Sequence, residues 1–170
     1  MDSEHIEIIE ASIDQVSVLR NLLQLYVYDF SEIEGFELND HGLFRYRYLD
    51  HYWTDEDRHP FLIYIDGTLG GFALVNTVTF AEESDFNIAE FFILRKYRRK
   101  GIGTRVAHHL FDMFPGWWEV RQTTLNVAAQ DFWRNVIAAY GSDEFNDYPN
   151  GTGASMNRPL QTVLSRTVAD

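Results

Sequence analysis

An apolar run, Ile88 to Leu94, passes without a break into Arg95-Lys96-Tyr97-Arg98-Arg99-Lys100-Gly101-Ile102-Gly103-Thr104, where the apolar residues change period. Before that boundary Phe91, Phe92 and Ile93 are contiguous, as in a strand buried on both faces. After it Ile102, Val106, Ala107, Leu110, Phe111 and Phe114 fall at helical spacing, until Pro115-Gly116 stops the helix. A strand that enters a helix through glycines leaves backbone amides facing one point at the positive end of the helix. Gly101 and Gly103 remove the side chains that would hold a ligand off those amides, and the surrounding guanidinium and ammonium groups attract anions. The segment therefore predicts an α/β domain with a phosphate-cradling turn.

Charge sharpens that expectation. Five of the fourteen Lys and Arg residues fall within the six positions 95–100, in a chain whose formal net charge is −12. An acidic surface repels nucleic-acid phosphates, so a local anion site, not a nucleic-acid partner, is expected, and the overall sign suits a cationic substrate. A Walker loop requires Gly-x-x-x-x-Gly-Lys-Ser/Thr, and a dinucleotide fold requires Gly-x-Gly-x-x-Gly; neither spacing is present.

The rest of the chain interleaves strands and helices. Ile6 and Ile8 alternate with polar residues as a short strand does, and Ser12 or Asp14 can cap a helix with Val18, Leu19, Leu22, Leu23 and Leu25 on one stripe. From Tyr26 to Trp53 the periodicity degrades, with a short helix expected near Leu43 to Tyr52. Phe61 to Ile65, Asp66-Gly67 and Gly71 to Val78 read as a hairpin. Trp117 to Gln122 read as a strand. Asn126 stands as the cap of a helix that carries Ala129, Phe132, Trp133, Val136 and Ile137 and stops at Gly141. Phe145 to Tyr148 and Ser155 to Thr167 add two strands across Gly151-Thr152-Gly153. Without a linker or repeat, 170 residues at 45% apolar content predict a single domain, 1–170, with a mixed sheet.

Arg98-x-x-Gly101-x-Gly103 after an apolar strand resembles the acetyl-coenzyme A motif of the Gcn5-related N-acetyltransferase (GNAT) superfamily, Gln/Arg-x-x-Gly-x-Gly/Ala. Asn126-x-x-Ala129-x-x-Phe132-Trp133-Arg134 resembles that superfamily's later Asn-x-x-Ala-x-x-Phe-Tyr motif, one helix and one strand downstream. With the element order, the resemblance covers about residues 6 to 165. It implies a three-layer α-β-α acyl-CoA N-acyltransferase fold with a central mixed, largely antiparallel, splayed sheet. It also implies acetyl-CoA as cosubstrate. The amides of Arg99, Lys100, Gly101, Ile102, Gly103 and Thr104, with Arg98 beside them, would hold the pyrophosphate. The pantetheine arm would pair with the backbone of Phe91, Phe92 and Ile93, as an added strand satisfies an open edge, and Asn126 and Phe132 would flank it near the thiol. An N–H near Ile93 would face the thioester oxygen.

The implied reaction is transfer of an acetyl group to a primary amine by direct attack in a ternary complex. With no cysteine in the chain, a cysteine acyl-enzyme, a disulfide and a thiolate metal site are excluded. Trp133 departs from the family pattern, because relatives carry there the Tyr thought to protonate the leaving thiolate, and an indole N–H cannot. Tyr140 or Tyr97 is the replacement expected, or the thiolate leaves without an acid. A domain that binds acetyl-CoA but has lost catalysis is the alternative.

Glu90 is the candidate general base if it faces the thioester; facing the covering helix, it needs a structural partner. Tyr26, Tyr28, Asp29, Glu32 and Glu34 lie in the segment that builds the acceptor pocket in this superfamily, and aromatic and acidic groups together suit a cationic amine, small or peptidic. His108 and His109, adjacent on one helix, point about 100° apart and cannot chelate one metal together; no metal site is expected. Trp117 and Trp118, read as exposed, leave a homodimer open. No run reaches the roughly 18 apolar residues of a membrane helix, and Met1 to His5 lack a secretory signal's form, so no membrane partner and a cytoplasmic location are expected.

Overall fold

The computed structural model describes residues 4–152 and 158–165. Seven strands, β1 (Ile6–Glu10), β2 (Arg58–Ile65), β3 (Thr68–Asn76), β4 (Phe86–Ile93), β5 (Trp117–Arg121), β6 (Phe145–Tyr148) and β7 (Leu160–Leu164), are hydrogen-bonded in the order β1-β2-β3-β4-β5-β7-β6. Among the described residues three α-helices stand between them in sequence: α1 (Val16–Glu34), α2 (Ile102–Met113) and α3 (Val127–Tyr140). The sheet is mixed. β4 and β5 are parallel, while β1 with β2, β5 with β7 and β6 with β7 are antiparallel. This is the acyl-CoA N-acyltransferase architecture that the resemblance implies.

The β4–β5 register is Phe86↔Trp118, Asn87↔Glu119 and Ile88↔Val120. Past the last of these pairs β4 continues for five residues, to Ile93. The chain groups into two compact units, one comprising the chain up to Leu74 with Glu90–Leu94, the other Val75–Ala89 with the chain from Arg95 on.

In the first unit, the β2–β3 hairpin turns at Asp66 and Gly67, both at positive φ (49° and 72°), as a tight two-residue turn between twisted strands demands. Leu19, Leu22 and Leu23 of α1 pack with Leu62, Phe72, Leu74 and Phe92 of the strands, and with Leu49 and Tyr52 from the connection. The helix is longer than its leucines suggest. Tyr26, Val27 and Phe30 continue the stripe at helical spacing, and Gly35 ends the helix at φ 69°, donating its N–H to Ser31 O at 3.0 Å. Tyr26, Tyr28, Asp29, Glu32 and Glu34 therefore belong to α1, not to a connecting segment. Conversely, the short helix expected near Leu43–Tyr52 is one 3-10 turn, Asp50–Trp53. From Phe44 to Arg47 half-buried and exposed residues alternate, a pattern that gives no helix a continuous apolar stripe.

In the second unit, Val106, Ala107, Leu110 and Phe111 form the buried stripe of α2, and Trp133, Val136 and Ile137 that of α3. His108 Nε2 donates to Val136 O at 2.8 Å between the two helices, which fixes the proton on that nitrogen. Trp118 is fully buried against Phe86, Phe111 and Phe114, with its indole N–H on Phe114 O at 2.9 Å. The exposed-tryptophan case for a homodimer thus fails at Trp118. The expected β6–β7 pairing is present, Phe145↔Val163 to Tyr148↔Leu160. Gly153 of the predicted turn, and Ser155 and Thr167 at the predicted limits of the last strand, lie outside the described residues.

Candidate active site

The turn after β4 begins with a 3-10 turn, Arg95–Tyr97, in which Lys96 Nζ stands 4.5 Å from the Tyr97 ring centroid. Two residues then take left-handed backbone, Arg99 at φ 61° and Gly101 at φ 76°, with Lys100 between them. Such reversals curl successive N–H groups around one point. Gly101 is the N-cap of α2, and the first helical hydrogen bond is Arg105 N to Gly101 O at 3.1 Å. The amides of Ile102, Gly103 and Thr104 come before that ladder and face out at the positive end of the helix. A Cβ on Gly101 would meet nothing within 4 Å, so glycine is needed there for its backbone angle and leaves open space. Arg98, Arg99, Lys100 and Gly101 are exposed and Ile102 is buried beneath them. These residues fit a diphosphate: open, cationic, and presenting first-turn amides outside the helical ladder.

At α3 the predicted cap is in place, with Asn126 Oδ1 accepting from Ala129 N at 3.1 Å. Phe132 is half-buried, its ring 5.0 Å from Trp133, and Trp133 is 6% exposed. Tyr140 stands at the other end of the same helix. Its hydroxyl donates to Asp112 in the last turn of α2, and its ring packs on His108 and Phe111. Fourteen positions of helix at 1.5 Å each put Asn126 and Tyr140 about 20 Å apart. The two cannot both flank one sulfur, so the expectations for Asn126 at the thiol and for Tyr140 as the acid exclude one another.

Glu90 lies in the first unit, two residues before Phe92 and on the same face of β4, toward α1. Tyr26 of α1 donates its hydroxyl to Glu90 Oε2 at 2.5 Å, and Tyr46 of the connection donates to Oε1 at 3.0 Å. Of the two orientations open to Glu90, the structure realises the one toward the covering helix, with partners. All three residues are half-buried. Burial, the negative charge of Glu90 and the hydrogen bond to it hold the Tyr26 phenol well above its usual value. Burial and Glu90 raise Tyr46 likewise, against a smaller opposing effect of Arg58. The Tyr26 ring meets Phe30, Phe72 and Phe92 at 4.7, 5.7 and 5.9 Å. Tyr46 is held from behind. Gln24 of α1 accepts from Phe44 N at 2.8 Å and donates to Phe44 O at 3.0 Å, while Asn39 Oδ1 ties the N–H groups of His41 and Leu43.

Two groups here carry no sequence signal. Tyr46 sits in an aperiodic stretch 44 residues from Glu90, where only the alternation Phe44-x-Tyr46-x-Tyr48 hints at a packed edge. Glu119 of β5 is 0% exposed and accepts the backbone N–H groups of Phe80 and Ala81 at 2.9–3.0 Å, while Arg121 lies 3.6 Å over the Phe80 ring. Burial pushes its carboxyl upward, against the pull of those amides and of Arg121.

A model of the acetyltransferase (GNAT) family matches residues 19–136, a span that holds both the Arg98–Gly103 turn and the Asn126–Trp133 segment. The chain belongs to the GNAT family. No curated protein matches it. Among solved structures, an acetyltransferase from Thermus thermophilus is similar at 15% identity and a TM-score of 0.69, covering 94% of this chain and 96% of that one. The aminoglycoside acetyltransferase AAC(6')-Ib in complex with coenzyme A is similar at 13% identity and a TM-score of 0.66, over 94% and 95% of the two chains. The PaiA N-acetyltransferase from Thermoplasma acidophilum, in complex with coenzyme A, follows at 12% identity and 0.58, over 94% and 99%. At these identities the likeness is one of fold, and it extends over nearly the whole of this GNAT chain.

Proposed function

We propose that this GNAT protein transfers the acetyl group of acetyl-CoA to a primary amine by direct attack in a ternary complex. The observation that carries the reading is the turn at 98–104: left-handed backbone at Arg99 and Gly101, first-turn amides outside the helical ladder, and cations around them. In the reaction the neutral amine nitrogen forms a bond to the thioester carbon. The carbon–sulfur bond breaks, coenzyme A leaves as thiol or thiolate, and the amine gives up a proton. That two of the similar structures hold coenzyme A, and one of them is described as an aminoglycoside acetyltransferase, supports both the donor and an amine acceptor.

The test is acetyl-CoA consumption over a panel containing a simple alkylamine, a diamine, an aminoglycoside and a peptide with a free amino terminus. Gly103→Arg, which sets a bulky side chain on the cradling amides, is the control that blocks the cofactor. Turnover in the wild type and its loss in the variant are expected; a ping-pong pattern with a trapped acetyl-protein would refute direct attack. A second reading, a binding domain without catalysis, draws on the buried Trp133 at the family's acid position. Tight coenzyme A binding with no turnover across the panel would select it.

A further inference from the structure

We propose that the outward side of α1, with the connection that returns along it, is an interaction surface for a basic polypeptide segment that carries apolar side chains. The inference stands apart from the acetyl-transfer reading and is tested without the cofactor.

The surface is apolar on the side turned to solvent. Among the described residues, six of the thirteen exposed large apolar side chains, Leu25, Tyr28, Phe36, Leu38, Leu43 and Tyr48, fall within positions 25–48, at 49–65% exposure. Asn21, Leu25, Tyr28 and Glu32 recur at helical spacing as an exposed stripe of α1. Tyr28 stands about 200° round the helix from Tyr26, whose ring meets Phe72 and Phe92 of the strands, so the stripe faces away from the sheet. The connection comes back beside it. The chain leaves the helix at Gly35, and Gln24 binds both backbone groups of Phe44. Residues 36–43 therefore return over about 16 Å of helix to the level of Gln24. Leu25 adjoins Gln24 in sequence, Tyr28 follows it by one turn, and Leu43 precedes Phe44, so the three gather about one clamp.

The backbone under these side chains is ordered by its own hydrogen bonds. Asn39 donates its N–H to Leu43 O at 3.0 Å, Gly42 donates to Asn39 O at 2.9 Å, and Asn39 Oδ1 accepts from His41 N and Leu43 N. Leu38 and Leu43 bracket this closed turn. A single exposed leucine needs no explanation, but several held together on ordered backbone mark a docking surface that costs little chain entropy to use.

Charge selects the partner. Positions 21–44 hold five acidic residues, Asp29, Glu32, Glu34, Glu37 and Asp40, and no Lys or Arg. Glu32, Glu37 and Asp40 are exposed and enter no ion pair among the described residues. On one side of the stretch Arg20 is engaged with Asp50 at 3.1 Å, and on the other Arg45 and Arg47 bound it. Such a field attracts a cationic segment and repels anionic headgroups and nucleic acid. Apolar side chains spread over about 16 Å suit a polypeptide, which can present several such groups, and exceed the span of a small amine.

The probe is a short labelled peptide in which lysine alternates with leucine and phenylalanine, titrated with the full chain while fluorescence anisotropy is read. One control peptide carries serine for the apolar residues, the other glutamate for the lysines. Saturable binding that weakens as salt is raised is expected, with either control at least about tenfold weaker. Glu32→Lys, Glu37→Lys and Asp40→Lys together should raise the Kd at least about tenfold, and Tyr28→Ser with Leu38→Ser about tenfold. The same charge change at Glu56, Glu82 and Asp143, all exposed, should raise it less than about threefold. Circular dichroism establishes that each variant is folded. Equal weakening by the two charge sets would reduce the effect to the net charge of the molecule and overturn the surface, as would unchanged binding in the serine variant. Sedimentation with anionic vesicles in the absence of peptide binding would assign the face to a membrane instead. Concentration-dependent self-association that the same variants abolish would assign it to a second copy of the chain. Each of these failures leaves acetyl transfer standing, and absence of turnover over the amine panel leaves the peptide result standing.

Discussion

Tyr140 donates its hydroxyl to Asp112 Oδ1 at 2.6 Å, joining the last turns of α2 and α3. That bond fixes the tyrosine at the end of α3 away from Asn126. Tyr140→Phe is accordingly expected to leave kcat unchanged within about twofold and to cost at most about 1 kcal/mol, since Asp112 is exposed. Urea unfolding and steady-state rates check both; a hundredfold fall in kcat would restore Tyr140 to the reaction.

Gly71 of β3 lies so close to β4 that a Cβ there would overlap the Phe92 carbonyl oxygen and sit 3.1 Å from Ile93 Cα. The contact is with backbone, which cannot swing away. Gly71→Ala should therefore lower stability by about 3 kcal/mol or more, and it should disturb the segment Phe91–Ile93. Thermal or urea denaturation reads the loss, and a variant as stable as wild type would show that the two strands separate at little cost.

Glu119 links stability to pH. Its buried carboxyl is pushed up, so the folded chain holds the proton more tightly than the unfolded chain does. Its contribution is fully present below the usual glutamate value of about 4.3 and is lost as pH rises through the raised value. Relative to Glu119→Gln, the wild type should gain stability as pH falls from 7 toward that range. Urea unfolding of the two proteins at a series of pH values checks the sign, and a constant difference would sink it.

At Gly101 the backbone angle, not crowding, forbids a side chain. Gly101→Val is expected to cost about 1–2 kcal/mol through the left-handed conformation alone and to weaken coenzyme A binding at least tenfold by displacing the cradling amides. Calorimetric titration with coenzyme A measures it. Retained affinity would mean that the diphosphate is held by side chains, such as Arg98 and Lys100, and not by the amides.

How much of this is legible in the sequence differs by element. The turn at 98–104 and α2 can be read because glycine spacing and a change of period leave marks in neighbouring residues. The Asn126 cap can be read for the same reason, since its partner, Ala129 N, is three positions away. The second half of α1 is obscured because aromatic residues replace leucine on the stripe, and Tyr26 and Phe30 resemble a pattern breaking down when they in fact extend it. The contacts of Tyr46 and Glu119 leave no local mark. Each meets its partner across 38 or more residues, and only the packed chain shows which polar group that separation brings into contact. That Tyr140 and Asn126 cannot stand at one point is legible too, because the length of their own helix already separates them.

The clamp of Gln24 on both backbone groups of Phe44 has an evolutionary corollary. The stretch between Gly35 and Leu49 is tethered near its middle by that amide and braced by Asn39, so the exposed residues between these fixed points can change without loosening the phenol at position 46. A lineage of such chains could then rewrite the exposed residues of that stretch while inheriting its foothold on the helix unchanged.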